Sequence, residues 1–301
     1  MTEGRRKVSC FLITRDRVDD LCDCLDHLLA QTYRPLEIVL LDNASSDGTL
    51  DRVARDYPEV VRLVSDRNLG VAGGRNRAME ACTGDLLVGV DDDAILDDPA
   101  FLGRVVAEFE ADPTLGCLCP RIVNYHTGLM DPKELPARDK RKADRRFETS
   151  YFVGCFFAIP RVVLDRTGGF PEGFFYAGEE SDLGLRIFQA GYRLVYEPSF
   201  VVRHKVSPVR GTNRTRFRYY IRNRIWIAVS YYPAPYLLAY LCTSIGVFFV
   251  KALLHRSVGE FFTGLREGFE GLAPYRERRK KLRLDRTTVR RLRKVENRLL
   301  H

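Results

Sequence analysis

The chain has 301 residues, of which 45% are hydrophobic and 29% charged. This composition is globular, and it excludes a disordered chain, a collagen-like repeat and a disulfide scaffold. The formal net charge of +8 is unevenly placed, because residues 1–202 hold 25 basic and 34 acidic residues whereas residues 203–301 hold 23 and 6. Nucleic-acid binding needs positive charge on the working surface, so the acidic first two thirds argue against a nucleic-acid partner.

The eight cysteines lie mostly in apolar runs, and their spacing does not match the CxxC pairs of a zinc site. We therefore expect reduced, mostly buried thiols. Residues 1–10 (MTEGRRKVSC) begin with charge and lack the apolar core of a signal peptide. These features predict that the first domain is cytoplasmic.

The first half of the chain alternates short apolar runs with helical patterns. Strands are predicted at residues 8–14 (VSCFLIT), 36–42 (LEIVLLD) and 60–66 (VVRLVSD), and a fourth strand leads into three aspartates. Strands and helices that alternate in this way favour an α/β fold with a mostly parallel sheet covered on both faces. Ligands of such sheets bind beyond the carboxyl ends of the strands.

The pattern changes in the second half. Residues 124–150 are polar and charge-dense, which predicts a long surface loop. Residues 192–205 (YRLVYEPSFVVRHK) predict a pair of strands near the end of the sheet. An uncharged run and a basic tail follow.

Asp91, Asp92 and Asp93 follow an apolar strand. Adjacent carboxylates repel one another, so the cluster is costly unless a cation or hydrogen-bond donors compensate. In an extended backbone Asp91 and Asp93 would share one face, with Asp92 on the other. Such a pair suits Mg²⁺ or Mn²⁺ bound to phosphate oxygens, and a solvated acidic turn is the alternative.

Two further segments are candidates for ligand contact. Asp42 ends its own strand, where it either accepts a hydrogen bond from a base or ribose or caps the next helix; Asp47 is expected mainly to cap. The glycines of residues 68–78 (NLGVAGGRNRA) lack the dinucleotide spacing and follow the third strand, which argues against a Rossmann dehydrogenase. They fit a structural turn or a close approach to a ligand, with Arg75 and Asn76 pointing into the site.

Five motifs occur in one order along the chain: LITRDR, LLDNASSDGT, NLGVAGGRN, VDDDA and FFYAGEESDLGLR. Their order and spacing resemble the family 2 glycosyltransferases of GT-A fold, over roughly residues 8–224. The resemblance is strongest to the branch that includes rhamnosyltransferase-like enzymes. It implies a GT-A catalytic domain over residues 1–224, with a mostly parallel mixed sheet flanked by helices, and a C-terminal helical, basic region over residues 225–301.

The resemblance also implies roles for individual residues near the donor. Thr14 and Arg15 would border the nucleotide, Asp42 would accept from a pyrimidine ring, and Arg75 and Asn76 would lie against the nucleotide and diphosphate.

The same resemblance implies a metal site. Asp91 would approach the ribose and donor sugar, with Asp92 beside it and Asp91 also close to the metal. Asp93 would coordinate the metal, Mg²⁺ or Mn²⁺, and His204 matches a position that often completes the metal or phosphate site. A histidine after a strand is otherwise more often structural.

An acidic cluster of Glu179, Glu180 and Asp182 precedes an amphipathic pattern. Without the resemblance it is an acidic helix N-terminus, which the helix dipole favours. The family usually has Glu-Asp here, with the second carboxylate as the base that deprotonates the acceptor. Glu180 stands in that place and is the expected base, while Glu179 and Asp182 remain alternatives.

The implied enzyme is an inverting glycosyltransferase of hexosyltransferase type. It would move a sugar from a UDP- or dTDP-sugar to a hydroxyl acceptor, which could be a polysaccharide, a lipid-linked glycan or a natural product. The alternative is a catalytically inactive nucleotide-sugar-binding or membrane adaptor module of the same fold. The intact aspartates and the candidate base argue against that alternative.

The C-terminal region leaves several partners open. Residues 203–224 hold eight basic residues and no acid, so they can close over a diphosphate, attract an anionic or lipid-diphosphate acceptor, or form a solvated helix. Residues 225–250 are uncharged and long enough to span a bilayer, although Pro233 and Pro235 weaken a spanning helix. Three possibilities stay open for this run. It could contact the cytoplasmic face of an anionic membrane peripherally, pack on the catalytic domain or a homodimer partner, or span the membrane. The basic residues 276–301 favour either anionic lipid or simple solubility.

Overall fold

The computed structural model describes residues 4–205 and 215–296. Its strands are β1 Val8–Thr14, β2 Leu36–Asp42, β3 Val61–Val64, β4 Leu86–Val90, β5 Ala94–Ile95, β6 Leu115–Asn124, β7 Phe147–Thr149, β8 Phe156–Pro160 and β9 Arg193–His204. Its helices are α1 Val18–Leu29, α2 Thr49–Asp56, α3 Gly70–Ala81, α4 Phe101–Ala111, α5 Arg161–Thr167, α6 Glu179–Gln189, α7 Thr215–Tyr231, α8 Ala234–Leu254, α9 Val258–Glu270, α10 Ala273–Leu282 and α11 Arg286–Glu296.

The strands form one sheet in the order β3-β2-β1-β4-β8-β6-β9-β5, with β7 paired to β9. Among the described residues, four strand pairs are parallel and four are antiparallel. The predicted α/β fold with a mixed sheet is confirmed. The parallel pairs are β1 with β2, β2 with β3, β1 with β4, and β6 with β9. The first three lie in the part of the chain where strands and helices alternate most regularly.

Strands β1 and β2 agree with the predictions made from the sequence pattern. β1 and β2 form at residues 8–14 and 36–42, as predicted, and they read as nearly continuous apolar runs because helices cover both faces of the sheet. The third predicted strand is shorter, Val61–Val64, and lies at the sheet edge with Val61 and Val64 exposed.

Two predictions about the second half were wrong in part. β9 is one strand of 12 residues rather than a strand pair, because a register shift opposite Pro120 and Arg121 takes up residues 198–200 without a reversal. Within residues 124–150, β7 joins the sheet beside β9, and Leu135 and Ala137 are buried. The segment is therefore partly core and not only surface loop.

Helix α7 runs through the predicted domain boundary between residues 224 and 225. Its side chains Ile225, Ala228 and Tyr231 are fully buried and belong to the same hydrophobic core as residues of the sheet. There is consequently no break in the chain's packing at that boundary.

Helix α8 differs from α7 because much of its surface is exposed. Its segment Tyr236–Leu254 has a mean hydropathy of 2.0 and is, by length and composition, a helix that could cross a membrane; 22% of it is buried. Within the basic tail, Arg278, Arg279 and Arg291 bond to the body of the protein. Residues 206–214 of the predicted basic segment, and the tail residues 297–301, lie outside the described residues.

Candidate active site

The backbone turns at Asp91, Asp92 and Asp93, which we call the aspartate turn. The N–H of Ala94 donates to the carbonyl oxygen of Asp91 at 3.0 Å. The extended backbone that was assumed for residues 91–93 is therefore wrong, although the carboxylates of Asp91 and Asp93 both come close to His204. Asp92 and Asp93 face Arg17 together, while Asp91 faces Arg75.

Arg17 supplies the positive charge that the aspartate turn requires. Its Nη1 lies 3.0 Å from Asp92 Oδ1 and its Nη2 lies 2.9 Å from Asp93 Oδ2. The hydroxyl of Thr14 donates to Asp92 Oδ2 at 2.7 Å. Burial raises the pKa of Asp92 to about 7, with Arg17 opposing that shift. Thr14 was predicted to border the nucleotide and lies beneath the turn; Arg17 was not predicted, although it belongs to the LITRDR motif.

His204 reaches the aspartate turn because it ends β9 opposite Ala94 of β5. Its Nε2 lies 3.2 Å from Asp93 Oδ1, and its Nδ1 lies 3.3 Å from Oε1 of Glu134. Burial disfavours the charged imidazolium, but hydrogen bonds to Asp93 and Glu134 raise the pKa of His204 above its usual range. Glu134 was not predicted, because it is distant from His204 in sequence and comes from the segment predicted as a loop.

Three side chains near the turn could hold a metal ion. Ligand atoms of Asp91, Cys155 and His204 all lie within 4.8 Å of one another. The carboxylate and imidazole suit Mn²⁺, whereas a thiol is a ligand of softer metals. Burial raises the pKa of Cys155 to about 12, so this thiol is protonated at neutral pH in the absence of a metal. Nothing in the apolar run around Cys155 indicated this position.

Asp93 lies beside this group and contacts His204 directly. Two donor atoms that share one octahedral ion, each about 2.1 Å from it, are about 3 Å apart. The 3.2 Å between Asp93 Oδ1 and His204 Nε2 is compatible with that separation, as well as with the hydrogen bond. Asp91 and His204 could therefore hold a divalent metal through oxygen and nitrogen donors, with Asp93 beside His204.

Arg75 of α3 connects the aspartate turn with α6. Its Nη2 lies 3.0 Å from Asp91 Oδ1, and its Nη1 lies 3.1 Å from Glu180 Oε1. The carbonyl oxygen of Gly154 accepts from Nη2 at 2.9 Å. A Cβ atom at Gly154 would overlap Glu180 Oε1 and lie 2.5 Å from Arg75 Nη2. The prediction that Arg75 points into the site is thus consistent with its position between two candidate carboxylates.

The three acidic residues of α6 lie in different environments. Glu180 is partly exposed, with 21% of its side chain accessible. Glu179 is buried, no described residue donates a hydrogen bond to its Oε2, and burial together with the charge of Glu180 raises its pKa to about 8. Asp182 is fully buried and accepts from Arg278, Arg186 and the hydroxyl of Tyr231. Of the three, only Glu180 combines exposure with the location expected of a base.

Two side chains of α7 hold the loop before α6. Asn223 donates to the carbonyl oxygens of Phe174, Tyr176 and Ala177 at 2.7–3.0 Å, and Arg222 donates to those of Gly173 and Phe174. The loop needs this support because Phe175 and Ala177 have φ angles of 61° and 72°, in the left-handed region that non-glycine residues rarely adopt. These residues of α7 were not predicted.

Three residues that were predicted to contact the nucleotide form hydrogen bonds or ion pairs with other residues of the protein. Asn76 exchanges hydrogen bonds with the backbone of Phe170, which ties α3 to the loop after α5. Asp42 accepts from the N–H and hydroxyl of Ser45 within its own turn. Arg15 is exposed, with its Nε 3.6 Å from Asp16 Oδ2. Asp47 accepts from the N–H of Thr49, the first residue of α2, although Gly48 holds the capping position of that helix.

Comparison with known proteins connects this architecture to glycosyl transfer. Residues 9–168 match the family described as glycosyl transferase family 2. The O-antigen chain rhamnosyltransferase WbaN of Salmonella anatum is 27% identical over 213 residues, which are 66% of this chain and 65% of that protein. The N-acetylglucosaminyl-diphospho-decaprenol L-rhamnosyltransferase of Mycobacterium tuberculosis is 28% identical over 216 residues, or 60% of this chain and 70% of that protein.

A solved structure shows the same fold. The mannosyltransferase PcManGT from Pyrobaculum calidifontis, in complex with GDP-Man and Mn²⁺, has a TM-score of 0.60 and 25% identity. The match covers 92% of this chain and 84% of that structure. Because the family model spans more than half of the sequence, the chain belongs to glycosyl transferase family 2, and its rhamnosyltransferase relatives agree with the predicted branch.

Proposed function

We propose that this glycosyltransferase moves a sugar from a UDP- or dTDP-sugar to an acceptor hydroxyl in one inverting displacement. The observation that carries the proposal is Arg75, whose guanidinium lies 3.0 Å from Asp91 and 3.1 Å from Glu180. One side chain thereby brings a candidate metal ligand and a candidate base to the same place. That arrangement suits a reaction with a negatively charged leaving group on one side and an acceptor proton on the other.

The candidate metal ligands are Asp91, Asp93 and His204, with the thiol of Cys155 beside them. A bound Mg²⁺ or Mn²⁺ would offset the negative charge that develops on the departing diphosphate. Arg17 holds Oδ2 of Asp93 at 2.9 Å, which leaves Oδ1 toward His204. In the proposal Arg17 therefore orients Asp93 and limits repulsion within the aspartate turn.

Glu180 is the proposed base. It would take the proton of the acceptor hydroxyl as the oxygen forms a bond with the anomeric carbon and the bond to the diphosphate breaks. Because the acceptor attacks opposite the leaving group, the anomeric configuration inverts. Glu179 is less suited to this role because its raised pKa keeps it protonated at neutral pH, and Asp182 because three donors enclose it.

The names of two relatives suggest the chemical class of the acceptor. One acts on the O-antigen chain and another on an N-acetylglucosaminyl-diphospho-decaprenol, so we propose an acceptor of the glycan or lipid-linked glycan class. Cytoplasmic location, peripheral membrane association and a homodimer remain predictions from the sequence.

The experiment is a donor panel. Purified full-length protein is incubated with UDP-, dTDP- and GDP-sugars and with Mg²⁺ or Mn²⁺, and release of the nucleoside diphosphate is measured. Glu180→Gln is expected to slow turnover by about 10²–10⁴-fold, the range for loss of a general base, and Asp93→Asn to lower the rate at limiting metal. The exposed residue Glu59 provides a matched control, Glu59→Gln, with unchanged turnover.

Two results would count against the proposal. Turnover that Glu180→Gln and Asp93→Asn leave unaffected would show that the site is wrongly placed. Absence of turnover with every donor, combined with a raised melting temperature in the presence of a nucleotide, would favour the inactive binding module. The shift is measurable, because a ligand at 100 times its Kd adds about 2.7 kcal/mol of stability.

A further inference from the structure

The backbone that leads into α6 has an unusual conformation along residues 173–178, which we call the entry loop. Phe175 and Ala177 have φ angles of 61° and 72°, and Gly178 follows with 87°. Non-glycine residues keep such angles only where the surrounding structure enforces them, and positions of this kind cluster at active sites. Gly178 holds the N-cap position of α6 and has no side chain with which to cap the helix. Other parts of the protein must therefore fix the start of α6.

Asn223 of α7 bonds to the entry loop at three points. Its side chain is fully buried, and its Nδ2 lies 3.0, 2.8 and 2.7 Å from the carbonyl oxygens of Phe174, Tyr176 and Ala177. An amide group has two hydrogens, so the three oxygens share them. A buried carbonyl oxygen that loses its donor is costly, which makes this one amide the support of both left-handed residues, Phe175 and Ala177.

The entry loop also contacts the start of α3. The N–H of Val71 donates to the carbonyl oxygen of Phe175 at 2.6 Å, and a Cβ atom on Gly70 would lie 2.4 Å from the same oxygen. Helix α3 carries Arg75, whose Nη1 lies 3.1 Å from Glu180 Oε1. The loop therefore connects the helix of Arg75 with the helix of Glu180, and a displacement of the loop would change the position of one relative to the other.

Glu180 depends on the entry loop because it borders open space. A cleft of about 970 Å³ lies beside its side chain, so packing does not enclose the carboxylate. Glu180 is the second residue of α6, and its backbone directly follows the entry loop. A general base must lie within hydrogen-bond reach of the proton that it removes. The conformation of the loop thus decides whether Glu180 reaches that proton.

We propose that Asn223 is a positioning residue for the base: through the entry loop it holds Glu180 beside Arg75 and within reach of the attacking hydroxyl. The proposal rests on the proposed function, because Glu180 acts as a base only if the protein transfers a sugar. It gives α7 a part in the reaction that is distinct from the metal side of the site.

The kinetics of Asn223→Ala in the full-length protein test the proposal. The donor is the sugar nucleotide that gives the highest turnover in the donor panel, and release of its nucleoside diphosphate is measured with water as the acceptor. We expect kcat to fall about 10–100-fold, because small displacements of reacting groups have effects of that order. The KM for the donor should change less than about twofold, because β1 and the loop after it hold the aspartate turn.

A second variant and a control accompany Asn223→Ala. Asn223→Ser keeps a small polar side chain, puts the fold at less risk and should lower kcat in the same direction. Ser230→Ala is the control, since Ser230 is fully buried on the same helix and its hydroxyl bonds to no residue that the structure describes. Its kcat should stay within about twofold of the wild type.

A double-mutant cycle with Glu180→Gln separates positioning from a general loss of structure. A residue that acts through the base has little left to affect once the base is absent, so Asn223→Ala should cost less than about threefold in the Glu180→Gln background. A merely structural role would lower turnover by the same factor in both backgrounds. Hydrogen exchange of Asn223→Ala should be faster in peptides that cover residues 173–182 and unchanged in those that cover residues 86–95.

Three results would overturn the inference: wild-type turnover in both Asn223 variants, an equal factor in the two backgrounds of the cycle, or a change confined to the KM for the donor. If Glu180→Gln slows turnover and the Asn223 variants do not, the inference fails and the proposed function stands. Turnover that Glu180→Gln leaves unchanged, or absence of turnover by the wild-type protein with every donor, counts against the proposed function itself.

Discussion

The aspartate turn and the acidic N-terminus of α6 hold their carboxylates in different ways. In the aspartate turn, Arg17 and Thr14 come from β1 and the loop after it, within the first hundred residues of the chain. In α6, Asp182 accepts from Arg278 of α10, which lies 96 positions further along the chain. The loop before α6 likewise depends on Asn223 of α7.

This difference assigns a role to the C-terminal helices. The metal side of the site is built from the sheet and its loops, with Asp91 and Asp93 after β4 and His204 at the end of β9, whereas the base side is held by the helices α7 and α10. Arg75 joins the two sides. A change in the C-terminal helices should therefore disturb the base side first and leave the aspartate turn in place.

The largest expected effect comes from Arg278→Leu. The variant removes one of the two arginines that pair with the buried Asp182 and leaves its charge compensated only by Arg186 and the hydroxyl of Tyr231, which we expect to lower the free energy of unfolding by about 3 kcal/mol. Chemical denaturation followed by circular dichroism measures this change.

The control for Arg278→Leu is Lys280→Leu on the same helix. Lys280 pairs with Glu277 on the surface, with 72% and 69% of the side chains exposed, so its loss should cost less than about 1 kcal/mol. Equal losses in the two variants would contradict the role given to Asp182.

Gly154→Ala tests the connection through Arg75. The added Cβ would overlap Glu180 Oε1, so the contact between Glu180 and Arg75 must shift. We expect turnover to fall by about 10–100-fold, because small displacements of reacting groups have effects of that order.

A matched control for Gly154→Ala is Gly246→Ala, since a Cβ there meets no atom within 4 Å. Turnover by Gly154→Ala that equals the turnover of this control would show that Arg75 does not position Glu180.

Glu179→Gln is expected to change how stability depends on pH. The pKa of Glu179 is about 8 in the folded protein against an ordinary value of 4.5, so between these values the folded state holds a proton that the unfolded state has lost. Stability from this group is therefore lost as pH rises from about 4.5 to about 8. The variant cannot ionise, so its melting temperature should exceed that of the wild type by more at pH 8.5 than at pH 6.

Calorimetric melting curves of the two proteins across this range test that expectation. Glu59→Gln, a change at an exposed site, should follow the wild type at every pH. Parallel curves for wild type and Glu179→Gln would show that Glu179 is ionised throughout.

The smallest expected effect concerns the exterior of α8. Leu254→Glu should reduce cosedimentation with vesicles of phosphatidylglycerol and phosphatidylcholine several-fold if α8 contacts the membrane, because a charge would replace an apolar side chain that is 76% exposed on this helix. Leu129→Glu is the control, since Leu129 is exposed to 71%, similar to Leu254, but lies between β6 and β7. An equal reduction in both variants would mean that α8 is not the contact.

Motifs identified those parts of the site that depend on residues near one another in sequence. The strand before Asp91, the acidic start of α6 and the inward position of Arg75 all follow from local pattern. The turn at residues 91–94 did not, because a strand pattern gives no sign of where extended structure ends.

Other features were beyond local pattern because they need distant partners. The proximity of Cys155 to Asp91 and His204 depends on the pairing of β8 beside β4 and of β9 beside β5. The pairing of Asp182 with Arg278 depends on how α10 folds back onto α6. In both cases a charged or polar residue that looks ordinary in its own segment gains its role from a contact made across the sheet or between helices.

The distribution of thiols offers a way to observe α8 directly. Seven of the eight cysteines are buried, and Cys242, on α8, is exposed. A thiol-reactive dye should therefore label the native protein at one position, without mutagenesis, on the helix whose surroundings are in question. A polarity-sensitive dye at Cys242 would shift its emission toward the blue when lipid replaces water around it, and the natural sequence thus carries its own optical reporter of membrane contact.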